Sequence, residues 1–343
     1  MSPVYLLTGG CSFLGKHLLE VLLQQERELA EIRSTGDVSS CLCPSEKTKV
    51  VVIQGDITDY SSVLEATRGV DVVIHSASLV DVCHRILESA IYAVNVTGTK
   101  NVIQACVECG VERLVYTSSM DVIGPNMNGD HFLRGNEDTP YVVKHTMAYP
   151  KSKTEAEKIV LRPTVRGGKR LYTCSLRPTG IYGEGLQTGT EMMKDFYKQT
   201  VQQGGVVIGG IPDHIEHGRV YAGTTALGGE AFFCYDDSPY KSYEDFNMML
   251  LSVNNFRKSR MPFLLLWFLA LFNDVMRWIL SPVYNYTPLL NRYTLAVAST
   301  TFTVGTDKAR RYFQYSPLYD WDQCLARTQK WISTFHSEKP KET

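Results

Sequence analysis

Tyr149 and Lys153 stand four residues apart in Tyr149-Pro-Lys-Ser-Lys153, where a stretch with helical spacing, Lys151 to Leu161, begins. That spacing puts both side chains on one helix face, and their chemistry is complementary. A phenol titrates near pH 10, too high for a good base at neutral pH. An adjacent ammonium favours the phenolate and lowers that value. A tyrosine tuned in this way could take a proton from an alcohol while hydride leaves the same carbon for a nicotinamide. Lys153 could also bond the cofactor's ribose. Ser119 follows the apolar run Arg113-Leu-Val-Tyr-Thr117 and is placed to hydrogen-bond the developing carbonyl oxygen. Ser118 takes that role if the strand's register differs. A Tyr-x-x-x-Lys spacing by itself is common. It gains meaning from the order in which the glycine turn, Asp56, Ser119 and the Tyr149/Lys153 pair follow one another.

These residues need a scaffold, and the first half of the chain supplies the signals of one. Val4-Tyr-Leu-Leu7 is a short apolar run, followed at once by Thr8-Gly9-Gly10-Cys11-Ser12-Phe13-Leu14-Gly15. Helical spacing then runs from Lys16 to Ile32, with Leu18, Leu19, Leu22, Leu23, Leu29 and Ile32 on an apolar face. Strand, glycine turn and helix is the context of a dinucleotide site. Gly9 permits the tight turn, Gly15 lets the helix approach the sheet, and free N–H groups of Gly10, Ser12, Phe13 and Leu14 at the helix start can hold a pyrophosphate. Further strands are expected at Lys49 to Ile53, Asp71 to His75 and Arg113 to Thr117, with a helix from Asn95 to Cys109. Such alternation implies an α/β protein with a doubly wound parallel (Rossmann) sheet. Its ligands bind beyond the strands' carboxyl ends, so Asp56, Ala77 and Ser119 should share one crevice. Asp56 reads equally as an adenine contact or as a plain turn aspartate. The expected division is a dinucleotide-binding domain over 1–180 and a smaller substrate-binding region over 181–343.

The chain carries 35 basic and 36 acidic residues, a net charge of −1. That balance gives no electrostatic reason to expect nucleic acid. Nine cysteines are scattered, and the only close pairs are Cys41-x-Cys43 and Cys106-x-x-Cys109. With no second pair or His-x-x-x-His partner, free thiols in a reducing compartment are expected, and no metal. The first residues lack a basic region followed by a long apolar core, so no secretory signal is read. The sequons at Asn95 and Asn285 are then expected to stay bare. FLLLWFLALF (263–272) is too short an apolar run to cross a bilayer by itself. The wider segment 261–290, with Trp267, Trp278, Tyr284 and Tyr286, suits a membrane interface, and a buried core helix is the alternative.

Longer strings narrow the reading. YTSSMDVIGPN (116–126), RGNEDTPY (134–141), LRPTGIYGEG (176–185), EHGRVY (216–221), FCYDDSPYKSYEDFNM (233–248) and PLLNRYTLAVASTTFTVGTDKARRYFQYSPL (288–318) together resemble the 3β-hydroxysteroid dehydrogenase/Δ5-Δ4 isomerase family. This is a branch of the extended short-chain dehydrogenases. Within the family the chain is most similar to the branch acting on twenty-seven-carbon sterols in bile-acid synthesis. The resemblance implies Tyr149 as acid/base, Lys153 on ribose, Ser119 on the substrate oxygen and Pro178 against the nicotinamide. It also implies NAD as cofactor, a 7α-hydroxylated Δ5-sterol as substrate, membrane lipid as partner and residence on the endoplasmic reticulum. It names no base for the isomerase step, and self-association into a homo-oligomer is left open.

Three departures stand out. The family's middle glycine is Ser12, whose Cβ lies where backbone should approach phosphate. The second strand is poor, and the acid expected on the adenine ribose falls to Asp37, 22 residues past Gly15. The absence of Lys and Arg from Asp37 to Glu46 favours NAD over NADP. A helical stretch that the family carries after Tyr221 is missing, with Ala222 to Glu230 bridging the gap. A nucleotide-sugar epimerase, a flavonoid-type reductase and a cofactor-binding scaffold without turnover are the competing readings.

Overall fold

The computed structural model describes residues 2–26, 28–35, 48–124, 131–140, 146–162, 164–166, 169–185, 206–209, 219–221, 230–252 and 257–336. Asp37, Cys41, Cys43 and the bridge 222–229 lie outside them.

The central sheet is built from β1 (Val4–Thr8), β2 (Glu31–Thr35), β3 (Lys49–Ile53), β4 (Val72–His75), β5 (Arg113–Thr117), β6 (Thr164–Arg166), β7 (Lys169–Pro178) and β8 (Ala231–Cys234). Seven of them are parallel neighbours in the spatial order β3-β2-β1-β4-β5-β7-β8, so the sheet reverses direction of growth between β1 and β4. The short β6 pairs antiparallel with β7. The last parallel strand, β8, comes from beyond residue 180, so the sheet extends past the expected boundary.

Over one face pack α2 (Tyr60–Thr67), α3 (Thr99–Cys109) and α4 (Ala148–Val160). Their core includes Leu6, Val73, Val102, Cys106, Leu114 and Ala156. The other face carries α1 (Phe13–Gln25) over Leu7, Ile32, Ile74 and Val115. The described residues leave an apolar hollow of about 700 Å³ on this face, lined by Leu18 and Leu22 of α1 and by Ile74, Val115 and Leu176 of the strands.

Two expectations are corrected. The helix expected from Lys16 to Ile32 ends at Gln25, and Ile32 is a buried strand residue paired with Tyr5 and Val50. β2 reads poorly because it is EIRST, yet its polar groups are satisfied in place. Glu31 accepts from Arg33 and Lys49, which hold its carboxyl below the usual range. Arg33 donates onward to the carbonyls of Ala66 and Arg68, at the α2 C-terminus, where a cation is favoured. The catalytic helix starts earlier than Lys151. α4 takes in Tyr149 and carries Pro150 in its first turn, where the missing N–H is not needed.

Candidate active site

The reversal of strand order places a crevice beyond the carboxyl ends of β1 and β4, where doubly wound sheets bind their ligands. A cavity of about 560 Å³ lies there, walled by segments that follow four strands: Ser12–Leu14 after β1, Ser76 and Ser78 after β4, Ser118–Asp121 after β5, and Pro178–Ile181 at the end of β7. Tyr149 and Lys153 enter from α4.

The glycine turn is shaped by steric necessity. Gly9 adopts φ +75°, and a Cβ there would stand 2.8 Å from the Cα of Ala77. At Gly15 a Cβ would meet the carbonyl oxygen of Gly9 at 2.0 Å. Gly10 lies against Ser34 on β2 in the same way. Ser12 caps α1, its Oγ accepting from the Gly15 N–H at 3.0 Å. Besides adding a Cβ, it takes up the Gly15 amide. Asp56 follows β3 at the same sheet edge, lines a separate small cavity and accepts from the Thr58 N–H at 2.8 Å, which is the geometry of a turn aspartate.

A chain of hydrogen bonds ties the first turn to the helical layer. Ala77 N–H donates to Thr8 Oγ1, and Thr8 and Thr99 flank the two ring nitrogens of His75 at 2.7 and 3.0 Å. Burial pushes His75 down to about 3, so the ring is neutral. Thr99 then donates to the Asn95 carbonyl at 2.6 Å. Asn95, fully buried in a π-helical segment (Ala93–Gly98), donates to Leu79 O and Ser152 Oγ, and Ser152 Oγ donates to Tyr149 O at 2.7 Å. The sequence marks Asn95 only as a sequon. The widened helical turn that aims it inward, a feature frequent at functional sites, carries no sequence signal.

Tyr149 and Lys153 share one face of α4 and are both buried. The Lys153 ammonium donates to Thr117 O at 2.8 Å. Burial pushes Lys153 down to about 7, against the charges of Glu157 and Asp121. Tyr149 is shifted upward by burial, then by the charge of Asp121, while a hydrogen bond with Ser119 opposes both. In the protein alone, burial and the charge of Asp121 outweigh any acidification of Tyr149 by Lys153. Ser119, rather than Ser118, is the serine beside the phenol. Its Oγ donates to Asp121 Oδ2 at 3.0 Å and accepts from the Asp121 N–H. Burial raises Asp121 to about 6. Sequence reasoning missed this acid, which lies inside one of the quoted strings and two residues from Ser119.

The cavity's residues suit a dinucleotide. Among the described residues, Ser76 Oγ and Ser118 Oγ are buried without a hydrogen-bond partner, and both residues line the cavity. Pro178 closes the end next to Ser118, whose N–H donates to Leu176 O.

A sheet ordered 3-2-1-4-5 with a glycine turn at its switch point and a Ser-Tyr-Lys set at its carboxyl edge defines an extended short-chain dehydrogenase/reductase. The fold is similar to a UDP-glucose 4-epimerase of Thermus thermophilus solved with NAD (TM-score 0.65, 18% identity, covering 96% of this chain and 99% of that one). It is also similar to MoeE5 solved with UDP-glucuronic acid and NAD (TM-score 0.68, 19% identity, 96% and 99%). Residues 6–227 match the 3-beta hydroxysteroid dehydrogenase/isomerase family. The chain is 49% identical to human 3 beta-hydroxysteroid dehydrogenase type 7 over 96% of its length and 95% of that protein. It is 39% identical to the 3 beta-hydroxysteroid dehydrogenase/Delta 5-->4-isomerase of vaccinia virus strain Ankara, over 96% and 98%. The protein belongs to this family of NAD-dependent oxidoreductases.

Proposed function

We propose that the protein oxidises the 3β-hydroxyl of a Δ5-sterol, of the 7α-hydroxycholesterol type, and moves the double bond from Δ5 to Δ4. The observation that carries this reading is the convergence of Ser119, Tyr149 and Lys153 on one cavity at the sheet's switch point. Gly9, Gly10, Ser12, Phe13, Leu14 and Gly15 would hold the pyrophosphate, Asp37 the adenosine end, Ala77 and Pro178 the nicotinamide end, and Lys153 the ribose. When bound there, NAD supplies the hydride acceptor and a positive charge beside the phenol. Tyr149 Oη takes the alcohol's proton, and Ser119 Oγ supports the oxygen as it becomes a carbonyl. The Asn95–Ser152 bridge holds the first turn of α4, and with it Tyr149, in register.

The membrane reading rests on α5 (Phe263–Leu280). It is 18 residues long with mean hydropathy 1.7 and is 6% buried. Leu264 (71% exposed) and Phe268 (59%) face away from the protein. The opposite side is tied down by polar bonds: Asn273 to Leu290 O and Tyr286, and Asp274 to Arg292. A helix fixed along one side and apolar along the other lies in the interface of a bilayer, with the endoplasmic reticulum as the expected membrane and the active site on its reducing, cytoplasmic side. Beneath it lies a cavity of about 480 Å³, lined by Leu271, Val275, Trp278, Met147 and Tyr293 and, at its polar rim, by His84, Asp274, Arg277 and Arg292. This supports delivery of a sterol from the lipid.

Purified protein in phospholipid vesicles with NAD and 7α-hydroxycholesterol should form NADH, and Tyr149→Phe should not. Binding of NAD with no turnover of any 3β-hydroxysterol would leave the scaffold reading standing instead.

A further inference from the structure

The inner side of α5 carries a charge that nothing among the described residues pairs. We propose that Arg277 holds the phosphodiester of an anionic phospholipid at the rim of the cavity beneath that helix. The site rests on the interfacial reading of α5 given above and names the lipid group that the helix meets.

Arg277 lies in the last turn of α5, three residues past Asp274 and so on the same helix face. Both line the cavity, with His84 of the loop after β4 and Arg292, the first residue of α6 (Arg292–Ala298). Asp274 is spent on Arg292, whose Nε donates to its Oδ2 at 2.8 Å while the Arg292 N–H reaches the same oxygen at 3.4 Å. Burial, then the charge of Arg277, lowers His84, so its ring is neutral at pH 7. Of the other acids near His84, Asp81 accepts from the Cys83 and Ile86 N–H groups, and Glu88 is exposed. Arg277 remains. Its Nε is buried with no hydrogen-bond partner, and no ion pair holds its guanidinium among the described residues. A buried donor on a cation is costly to leave unpaired, and an anionic oxygen at the rim removes that cost.

Charge, depth and lining identify the anion. One uncompensated guanidinium matches a monoanion that offers two acceptor oxygens to its fork, and a phosphodiester is such a group. A zwitterionic headgroup would bring an ammonium, and the one carboxylate among the described lining residues is already paired. Trp278, next to Arg277, is 76% exposed and Tyr284 is 63% exposed. Such rings sit at headgroup level, which sets Arg277 at the depth of lipid phosphate. Leu271, Val275, Met147 and Tyr293 supply an apolar lining beside the charged rim, as a glycerophospholipid requires. The facing wall is fixed in place. His84 stands at φ 58°, a backbone conformation costly for a residue with a Cβ. It is held there by the two bonds to Asp81 and by Asn291, which donates to Val82 O at 3.4 Å. A phosphate bound at this rim fixes the depth of α5 and opens the apolar part of the cavity below the headgroups, where a sterol dissolves.

The test is flotation of the full chain with vesicles of phosphatidylcholine alone or mixed with phosphatidylglycerol. Wild type, Arg277→Gln and Arg277→Lys are compared, with NAD affinity as the folding control. Phosphatidylglycerol should strengthen wild-type binding by about fivefold or more. Both variants should lose most of that gain and keep their binding to phosphatidylcholine, since lysine retains the charge but not the planar fork. A Lys variant that responds as wild type does would overturn the proposal in favour of plain surface charge. Wild-type binding indifferent to phosphatidylglycerol would overturn it whether or not the variants fold. Free glycerophosphoglycerol forms a second arm and should neither release the protein from vesicles nor shift its tryptophan fluorescence. Saturable binding of that soluble phosphodiester, as tight as binding to the mixed vesicles, would assign Arg277 to a phosphate from solution and overturn the lipid. Failure to float with any vesicle would sink the interfacial reading of α5 and this site with it, whereas flotation without a phosphatidylglycerol effect sinks the site alone.

Discussion

Lys153 and Tyr149 sit in a low-dielectric wall, where burial disfavours the ammonium and the phenolate alike. Replacing Tyr149 by Phe removes the proton acceptor and keeps the packing; kcat should fall by about 10³-fold with little change in thermal stability. Ser12 makes a different case. At an N-cap, glycine costs only a few tenths of a kcal/mol relative to serine, and Ser12→Gly would free the Gly15 N–H. NAD titration should show tighter binding by roughly 3- to 10-fold, the worth of one added hydrogen bond; unchanged affinity would mean that the amide does not reach phosphate. Asp121 gives a pH signature. Its folded value, about 6, lies above its ordinary 3.8, so the folded state holds the proton more tightly and stability falls as pH rises from about 4 to 6. Asp121→Asn should therefore melt higher than wild type at neutral pH, with the gain vanishing toward about pH 4. Tyr149, Lys153, Ser119 and the glycines were legible because their chemistry is local in sequence. Asp121 was equally close, but its charge bears on Tyr149, 28 positions on, only through the fold.

The element that matters most is α4, pinned from two sides. Asn95 and Ser152 hold its first turn. Glu157, one turn past Lys153, pairs with Arg177 of β7 at 2.7 Å with both side chains essentially fully buried, and Ser175 donates to the same carboxylate. Breaking such a pair strands a buried charge, which costs about 3–5 kcal/mol. Arg177→Met should lower urea stability by that order, whereas the double change Glu157→Leu with Arg177→Met should recover most of it; equal losses would contradict the argument. None of this was readable beforehand, because the partners are separated by 57 and 20 positions and bonded only through the fold. Strands β3, β4 and β5 were readable, being short apolar runs between turns. β2 was not, since its polar side chains are satisfied by Lys49 and by the carbonyl end of α2.

At the scale of the whole molecule two apolar surfaces stand out among the described residues. Lipid is the partner proposed for the outer side of α5. Changing Leu264, Phe268 and Phe272 together to Gln should move the protein from the vesicle fraction to the soluble fraction in flotation, with NAD affinity unaltered. The hollow beside α1 has none. β7 and β8 are parallel neighbours, and such connections usually carry a helix across one face. Among the described residues, none from that connection lines the hollow. Grafting a relative's helix between Tyr221 and Ala231 should raise the melting temperature, a change that a hollow already filled would not allow. The central claim is that the carbon-bound hydrogen of a 3β-hydroxysterol leaves as its hydroxyl proton passes to Tyr149. A sterol deuterated at carbon 3, turned over by the full chain in vesicles, tests it directly. The account predicts deuterium in the recovered NADH and its loss in Tyr149→Phe; NADH without label, or equal transfer by both proteins, would contradict it.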